Sequence, residues 1–134
     1  MKPLVDIASG GEASRILLAI KTVLADVDNV SVLIFDEIDR GVAGETSQRI
    51  AEKLQGIGQH RQVLCVTHSA PIAASAKKHL LISKVVDGRR SRTNVQELKN
   101  DARVAEIARL LSGSTNESEA RSLAYSLLET HGNL

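Results

Sequence analysis

The sequence predicts an α/β fold, a mostly parallel sheet flanked by helices, and three observations lead to this prediction. Two short apolar runs, within 32–35 and 62–67, end in polar residues, which is typical of buried strands in a parallel sheet. Around these runs, apolar residues recur at helical spacing. The length of 134 residues and the hydrophobic share of 43% suit one compact unit. We therefore expect a single α/β domain.

The individual elements follow from periodicity and from glycine and proline punctuation. In the first half we expect a helix over 11–25, a strand over 30–35, a loop over 38–44, a helix over 45–57, a strand over 62–67 and a short helix over 71–76. Gly58 suits the C-terminal cap of the second helix. Pro71 suits the first turn of the third helix.

The second half predicts a hairpin followed by two helices. Strands near 80–86 and 91–98 are joined by a turn at Asp87-Gly88. Each closing helix carries an apolar stripe. The stripes are Val104, Ile107, Ala108 and Leu111 in the first helix, and Ala120, Leu123, Ala124, Leu127 and Leu128 in the second. They need a partner, either the sheet or a part of the protein outside this chain.

Two adjacent carboxylates, Asp36 and Glu37, directly follow the first apolar run. Ligands of parallel sheets gather beyond the carboxyl ends of the strands. One carboxylate can contact a magnesium ion while the other accepts a proton from an attacking water. The pattern indicates nucleotide hydrolysis, with Asp36 as the metal contact and Glu37 as the general base. The alternative is a pair of solvated acids at a strand end.

The string Ser9-Gly10-Gly11-Glu12 stands directly before a helical apolar series. Gly10 and Gly11 lack Cβ atoms, so backbone amides and the positive end of the helix dipole can approach an anion closely. Ser9 adds a hydroxyl donor. The alternative is an ordinary capping box with Ser9 as N-cap and Glu12 as its partner. Both interpretations stay open.

A histidine, His68, follows the second apolar run. If the two strands are parallel neighbours, His68 lies level with Glu37. Its imidazole could then bind a terminal phosphate or position the attacked water. A structural histidine is the alternative.

In order and spacing, these three pieces resemble the ATP-binding-cassette ATPases. The resemblance makes 9–12 the signature motif, 32–37 the Walker B strand and His68 the switch histidine. The strings 9–15, 36–44, 62–68, 82–84 and 106–111 are more closely similar to the RecN family, bacterial DNA-repair ATPases related to the structural-maintenance-of-chromosomes proteins. The similarity is to the carboxyl-terminal portion of that family. Two features depart from its pattern: the residues at 69–72, and Arg40, where a small residue is common.

The resemblance implies an intact protein that binds ATP and Mg²⁺ and acts on broken DNA in repair and recombination. Hydrolysis would open and close a head-to-head homodimer, in which Ser9, Gly10 and Gly11 complete the phosphate site of the second subunit. Asp39 would either contact that subunit or be a turn residue.

This sequence has no Gly-x-x-x-x-Gly-Lys-Ser/Thr phosphate loop. Family members carry that loop and a long coiled coil in an amino-terminal portion, so we expect a fragment or truncated gene product that is inactive alone and needs the missing lobe. The alternatives are a catalytically idle interaction module and another chromosome-maintenance ATPase.

Composition limits the partners. A formal charge of +1 gives no global bias toward nucleic acid or anionic lipid, so any DNA contact has to be local. The local candidate is a basic cluster at the hairpin, Lys77, Lys78, Lys84, Arg89, Arg90 and Arg92. Solvated charges that discourage edge pairing are the simpler interpretation. Phe35 and Tyr125 are the only Phe, Tyr or Trp residues, which disfavours stacking on bases.

The single cysteine, Cys65, falls inside an apolar strand, where we expect a buried and inert thiol. With one cysteine, no recognisable signal peptide and no apolar span of about 18 residues, we expect a cytoplasmic chain without a membrane partner.

Overall fold

The computed structural model describes residues 10–24, 30–87, 90–112 and 116–133 and has the expected α/β character. The helices are α1 (Gly10–Val23), α2 (Glu45–Gly58), α3 (Ala70–Ser75), α4 (Asn100–Leu111) and α5 (Glu117–Thr130). The strands are β1 (Val32–Phe35), β2 (Gln62–Cys65), β3 (His79–Asp87) and β4 (Arg90–Leu98). The elements form two compact units rather than the expected single one, and the first unit ends at Ile72.

The described strands form one parallel and one antiparallel pair, so the mostly parallel sheet that we predicted is not seen among them. In the first unit β1 pairs with β2 in parallel, with Val32 opposite Gln62 and Phe35 opposite Cys65. In the second unit β3 and β4 form the predicted hairpin, with His79 opposite Leu98. Gly88, in the predicted turn, lies outside the described residues.

The core of the first unit lies between β1, α1 and α2. Its buried cluster is Leu18, Leu33, Phe35, Ile38, Ile50, Ala51, Leu54, Ile57 and Ile72. This cluster includes the apolar residues that recur at helical spacing in α2 and that we expect to be buried: Ile50, Ala51, Leu54 and Ile57. The helix keeps Gly58 as its last residue and ends at Gln59 in a right-handed conformation with φ of −71°. The predicted glycine cap is therefore wrong by one position.

One face of β1 stays open. Leu33 and Phe35 are buried, but Val32 and Ile34 are 44% and 67% exposed. An apolar run predicted burial on both faces, and for β1 that prediction is wrong. A two-stranded pair with helices on one side leaves the other side uncovered.

In the second unit α4 and α5 pack chiefly on each other rather than on the sheet. The buried stripe residues are Val104, Ile107, Ala108, Ala120, Ala124 and Leu128, whereas Leu123 is exposed. Arg103 is also buried, and its Nη2 donates to the carbonyl oxygens of Ala73, Ala74 and Ala76. It thereby satisfies carbonyl groups at the end of α3 that the helix leaves without partners. No helix in the described ranges is long and apolar enough to span a membrane.

Candidate functional site

The two candidate carboxylates stand in a tight turn directly after β1. Asp36 and Glu37 are both exposed. Glu37 has a positive φ of 53°, a left-handed conformation that non-glycine residues rarely adopt. Its carbonyl oxygen accepts from Arg40 N at 3.0 Å, and its Oε2 lies 3.1 Å from Arg40 Nη1. The unusual Arg40 thus pairs with the proposed general base, in an exposed contact that solvent screens strongly.

The start of α1 carries the predicted anion-binding string. Gly10 is the first described residue and opens the helix, Gly11 is buried, and Glu12 lies exposed in the first turn. Ser9 lies outside the described residues. The anion site and the capping box at 9–12 therefore both stay predictions.

Gly11 packs tightly against the turn after β1. A Cβ atom added to Gly11 would lie 2.7 Å from the carbonyl oxygen of Glu37 and 3.0 Å from the Cβ atom of Arg40. Real side chains do not approach a backbone oxygen that closely. Glycine at this position therefore has a packing role, which the sequence analysis did not predict.

Two side chains of α1 tie the helix to the same turn. Ser14 Oγ donates to the carbonyl oxygen of Asp36 at 2.6 Å. Arg15 Nη1 donates to the carbonyl oxygens of Ile38 and Arg40 at 3.2 and 2.9 Å. These bonds satisfy backbone groups that the turn leaves unpaired. They also place the start of α1 beside the two carboxylates.

The strand pairing brings the end of β2 to the same edge. The two strands are parallel neighbours, which is the condition set above for His68, and Val66 N donates to Phe35 O at 2.9 Å just beyond the strands. Glu37 stands two residues beyond Phe35 and His68 three residues beyond Cys65, the last residues paired in the two strands, so the placement of His68 level with Glu37 stays a prediction. The imidazole of His68 is 81% exposed, so it is open to a ligand.

The side chain of Asp39 connects the turn after β1 with the residues after β2. Its carboxylate is only 2% exposed. Oδ2 accepts from Thr67 Oγ1 at 2.6 Å, from His68 N at 2.9 Å and from Ser69 N at 3.0 Å. Burial acts to raise the pKa of Asp39, but the hydrogen bonds from Thr67 and His68 outweigh it and hold the pKa below its ordinary value.

The environment of Asp39 bears on the two roles we expected for it. It does stand in a turn, and its carbonyl oxygen accepts from Val42 N at 3.2 Å. Its carboxylate, however, turns into its own unit. A buried aspartate with hydroxyl and amide donors was missed because nothing in its local sequence separates it from a solvated turn residue.

Asp36 fits the kind of site that magnesium uses with nucleotides. Within the described residues, no group of three or more His, Cys, Asp and Glu side chains is arranged to hold a metal ion. Magnesium bound with a nucleotide needs only one or two protein carboxylates, because substrate phosphates and waters supply the other ligands. An exposed Asp36 is compatible with that requirement, and its role as the magnesium contact stays a prediction.

Neither Cys65 nor the basic cluster adds to the site. Cys65 is half-buried rather than fully buried, and burial, with Asp39 and Asp36 nearby, raises its pKa to about 12. That makes it a poor nucleophile at neutral pH.

In the basic cluster at the hairpin, the exposed residues are Lys77, Lys78, Lys84 and Arg92. Arg89 and the side chain of Arg90 lie outside the described residues.

No family model matches the chain, but curated proteins do. DNA repair protein RecN of Treponema pallidum (strain Nichols) is 47% identical over 127 residues, which cover 95% of this chain and 22% of that protein. RecN of Deinococcus radiodurans is 49% identical over 86% of this chain, and RecN of Bacillus subtilis (strain 168) is 44% identical over 84%. The chain spans 20% of the length of each of these two proteins. The chain is thus a RecN-type sequence that corresponds to the carboxyl-terminal part of the RecN DNA-repair proteins.

Proposed function

We propose that this chain is the carboxyl-terminal lobe of an ATPase head in a RecN-type protein that acts in DNA double-strand-break repair and recombination. One observation carries the proposal. Hydrogen bonds gather the start of α1, the turn after β1 and the residues after β2 into one cluster. An anion-binding helix start, two carboxylates and an exposed histidine would supply one part of what phosphoryl transfer to water requires, and the phosphate loop would come from outside this chain.

Each residue has a role in this proposal. Glu37 accepts the proton of the attacking water, and His68 orients that water or binds the terminal phosphate. Asp36 would hold Mg²⁺, and the ion would neutralise charge on the transferring phosphoryl group when it is bound. Ser9, Gly10, Gly11 and Glu12 form the anion-binding helix start, which would act on ATP held by a second subunit.

The open face of the parallel pair supports a missing lobe. Ile34 and Val66 are 67% and 55% exposed, and Val32 and Leu64 beside them are also exposed. A contiguous apolar sheet face in water is typical of an interface. The relatives are much longer than this chain, so an amino-terminal lobe that brings the phosphate loop is the proposed cover.

The roles of the two carboxylates can be separated in the complete protein. Glu37→Gln keeps the shape of the side chain but removes the basic carboxylate. It should lower ATP turnover by about 10²- to 10⁴-fold while ATP binding is retained. Asp36→Asn should weaken binding of magnesium-ATP itself. Equal, near-native turnover by both variants would refute the assignment.

The role of the helix start in a dimer needs its own test. Gly10→Asp adds volume and a negative charge where the facing γ-phosphate would bind. In a Glu37→Gln background, which holds ATP, this change should abolish ATP-dependent dimerisation while each monomer still binds ATP. Sedimentation with and without ATP measures it. An undiminished dimer fraction would leave 9–12 as a helix cap.

A catalytically idle interaction module is the second candidate function. The open apolar face of β1 and β2 favours it, because such a face can dock on a partner without any nucleotide. The two candidates differ in one result. An idle module binds its partner equally well with and without ATP, whereas an ATPase lobe couples association to nucleotide.

A further inference from the structure

The Asp39 carboxylate lies where the turn after β1 meets the residues after β2. Oδ2 accepts the three hydrogen bonds from Thr67, His68 and Ser69, and His68 Nδ1 lies 3.3 Å from the same oxygen. Oδ1 is buried and has no hydrogen-bond partner among the described residues. Among the described residues, the hydrogen bonds from the segment after β2 thus all fall on Oδ2.

This one-sided arrangement has a physical consequence. Hydrogen bonds to an ionised carboxylate are shorter and stronger than those between neutral groups. Three of them on one oxygen of a carboxylate that is only 2% exposed fix the backbone at His68 and Ser69 more firmly than a solvated loop. The contact between His68 Nδ1 and Asp39 also restricts the orientation of the imidazole. With Nδ1 facing Asp39, Nε2 is the ring nitrogen left for an external group.

The position of Asp39 in the chain matters equally. It stands two residues after Glu37, in a turn closed by the bond from Arg40 N to Glu37 O. The carboxylate therefore links the turn that carries Glu37 to His68: the backbone joins Glu37 to Asp39, and hydrogen bonds join Asp39 to the residues after β2. A small shift of that turn would move both groups together.

We propose that Asp39 is a positioning residue that holds His68 against the turn that carries Glu37, in the ATP hydrolysis proposed above, on which this role rests. Asp39 acts through His68 and touches neither water nor phosphate itself. The expected effect of losing it is a misplaced imidazole, which can cost about 10²-fold in turnover.

The contact itself is tested first, on this chain and without nucleotide. Asp39→Asn keeps the size of the side chain and removes its charge. Amide hydrogen exchange, followed by NMR, should speed up at His68 and Ser69 in this variant relative to Gln62, whose amide donates to the carbonyl oxygen of Ser31 at 3.0 Å where β2 begins. Unchanged exchange at His68 and Ser69 would overturn the proposed contact, whatever the ATPase activity.

The role is tested second, by a double-mutant cycle in the complete RecN-type protein. Asp39→Asn should lower kcat by about 10²-fold with little change in the affinity for ATP. If Asp39 acts through His68, the double variant Asp39→Asn/His68→Ala is no slower than His68→Ala alone. Arg103→Met is the matched control, because it removes a buried hydrogen-bonding group from the second unit and should change stability without changing kcat.

Two results would overturn the role. One is a loss of kcat in the double variant that equals the product of the losses in the two single variants, which would mean that Asp39 and His68 act separately. The other is a loss of kcat by Asp39→Asn no larger than that of Arg103→Met. A complete protein that hydrolyses no ATP refutes the proposed function and this role with it, while the exchange measurement still decides whether the contact exists.

Discussion

Replacing Gly11 with alanine tests how tightly α1 packs on the turn after β1. The added Cβ atom would lie 2.7 Å from the carbonyl oxygen of Glu37. That oxygen belongs to the backbone, so it cannot rotate away as a side chain would. The helix or the turn has to shift, and the hydrogen bond from Ser14 Oγ to Asp36 O, at 2.6 Å, shifts with it.

The expected cost comes from two opposing effects. Overpacking a closed contact destabilises by about 1–3 kcal/mol. Alanine favours a helix over glycine by up to about 1 kcal/mol, and by less in the first turn, where the helix is not fully formed. We therefore expect Gly11→Ala to lower the free energy of unfolding by about 1–2 kcal/mol.

Gly56→Ala is the matched control. Gly56 lies inside α2, and among the described residues nothing comes within 4 Å of a Cβ atom added there. This variant should gain about 0.5–1 kcal/mol, because only the helical preference acts. Urea denaturation of the wild-type chain and both variants gives the two differences. If Gly11→Ala stabilised the chain as much as Gly56→Ala, the close packing of α1 on the turn would be refuted.

Three further predictions concern the first unit. Phe35→Ala should lower the free energy of unfolding by about 3–5 kcal/mol, because Phe35 is fully buried. Ile34→Ala should change the unfolding free energy of the isolated chain little, because Ile34 is 67% exposed. Comparable losses in denaturant titrations would mean that both faces of β1 are covered. Burial raises the pKa of Cys65 to about 12, so iodoacetamide should alkylate this thiol at pH 8 at least about a hundredfold more slowly in the native chain than in the unfolded chain. Mass spectrometry measures both rates, and similar rates would contradict the burial of the thiol. The pKa of Asp39 is lower in the folded chain than in the unfolded chain. The ionised carboxylate therefore stabilises the fold fully above the unfolded pKa, about 4, and this stabilisation is lost as pH falls through the folded pKa. The difference in unfolding free energy between wild type and Asp39→Asn should therefore narrow in acid, and a difference that widens would show that the pKa shifts in the opposite direction.

Local periodicity predicted the elements well. The inner face of α2 and the pairing of the hairpin follow from patterns that lie within a few residues of each other. Parallel pairing of β1 and β2 followed from two apolar runs that end in polar residues. The first two features depend on short-range spacing, which a single sequence contains in full. The pairing of β1 with β2 joins residues as distant in the chain as Val32 and Gln62, and only the similar pattern of the two runs indicated it.

Long-range contacts were not predictable in the same way. The burial of Asp39 depends on Thr67 and His68, which are 28 and 29 residues away. The packing role of Gly11 depends on the carbonyl oxygen of Glu37. The exposure of Ile34 was missed for a different reason, because an apolar strand looks the same whether its cover lies in the same chain or elsewhere.

The most direct test of the proposed function is ATP hydrolysis by this chain with and without a separately produced amino-terminal portion of a RecN-type protein. The chain alone should hydrolyse no more ATP than its Glu37→Ala variant, because it lacks a phosphate loop. The mixture should gain turnover that disappears when the chain carries Glu37→Gln. Turnover by the isolated chain well above the Glu37→Ala control, or turnover in the mixture that does not depend on Glu37, would contradict the assignment of this chain as one lobe of an ATPase head.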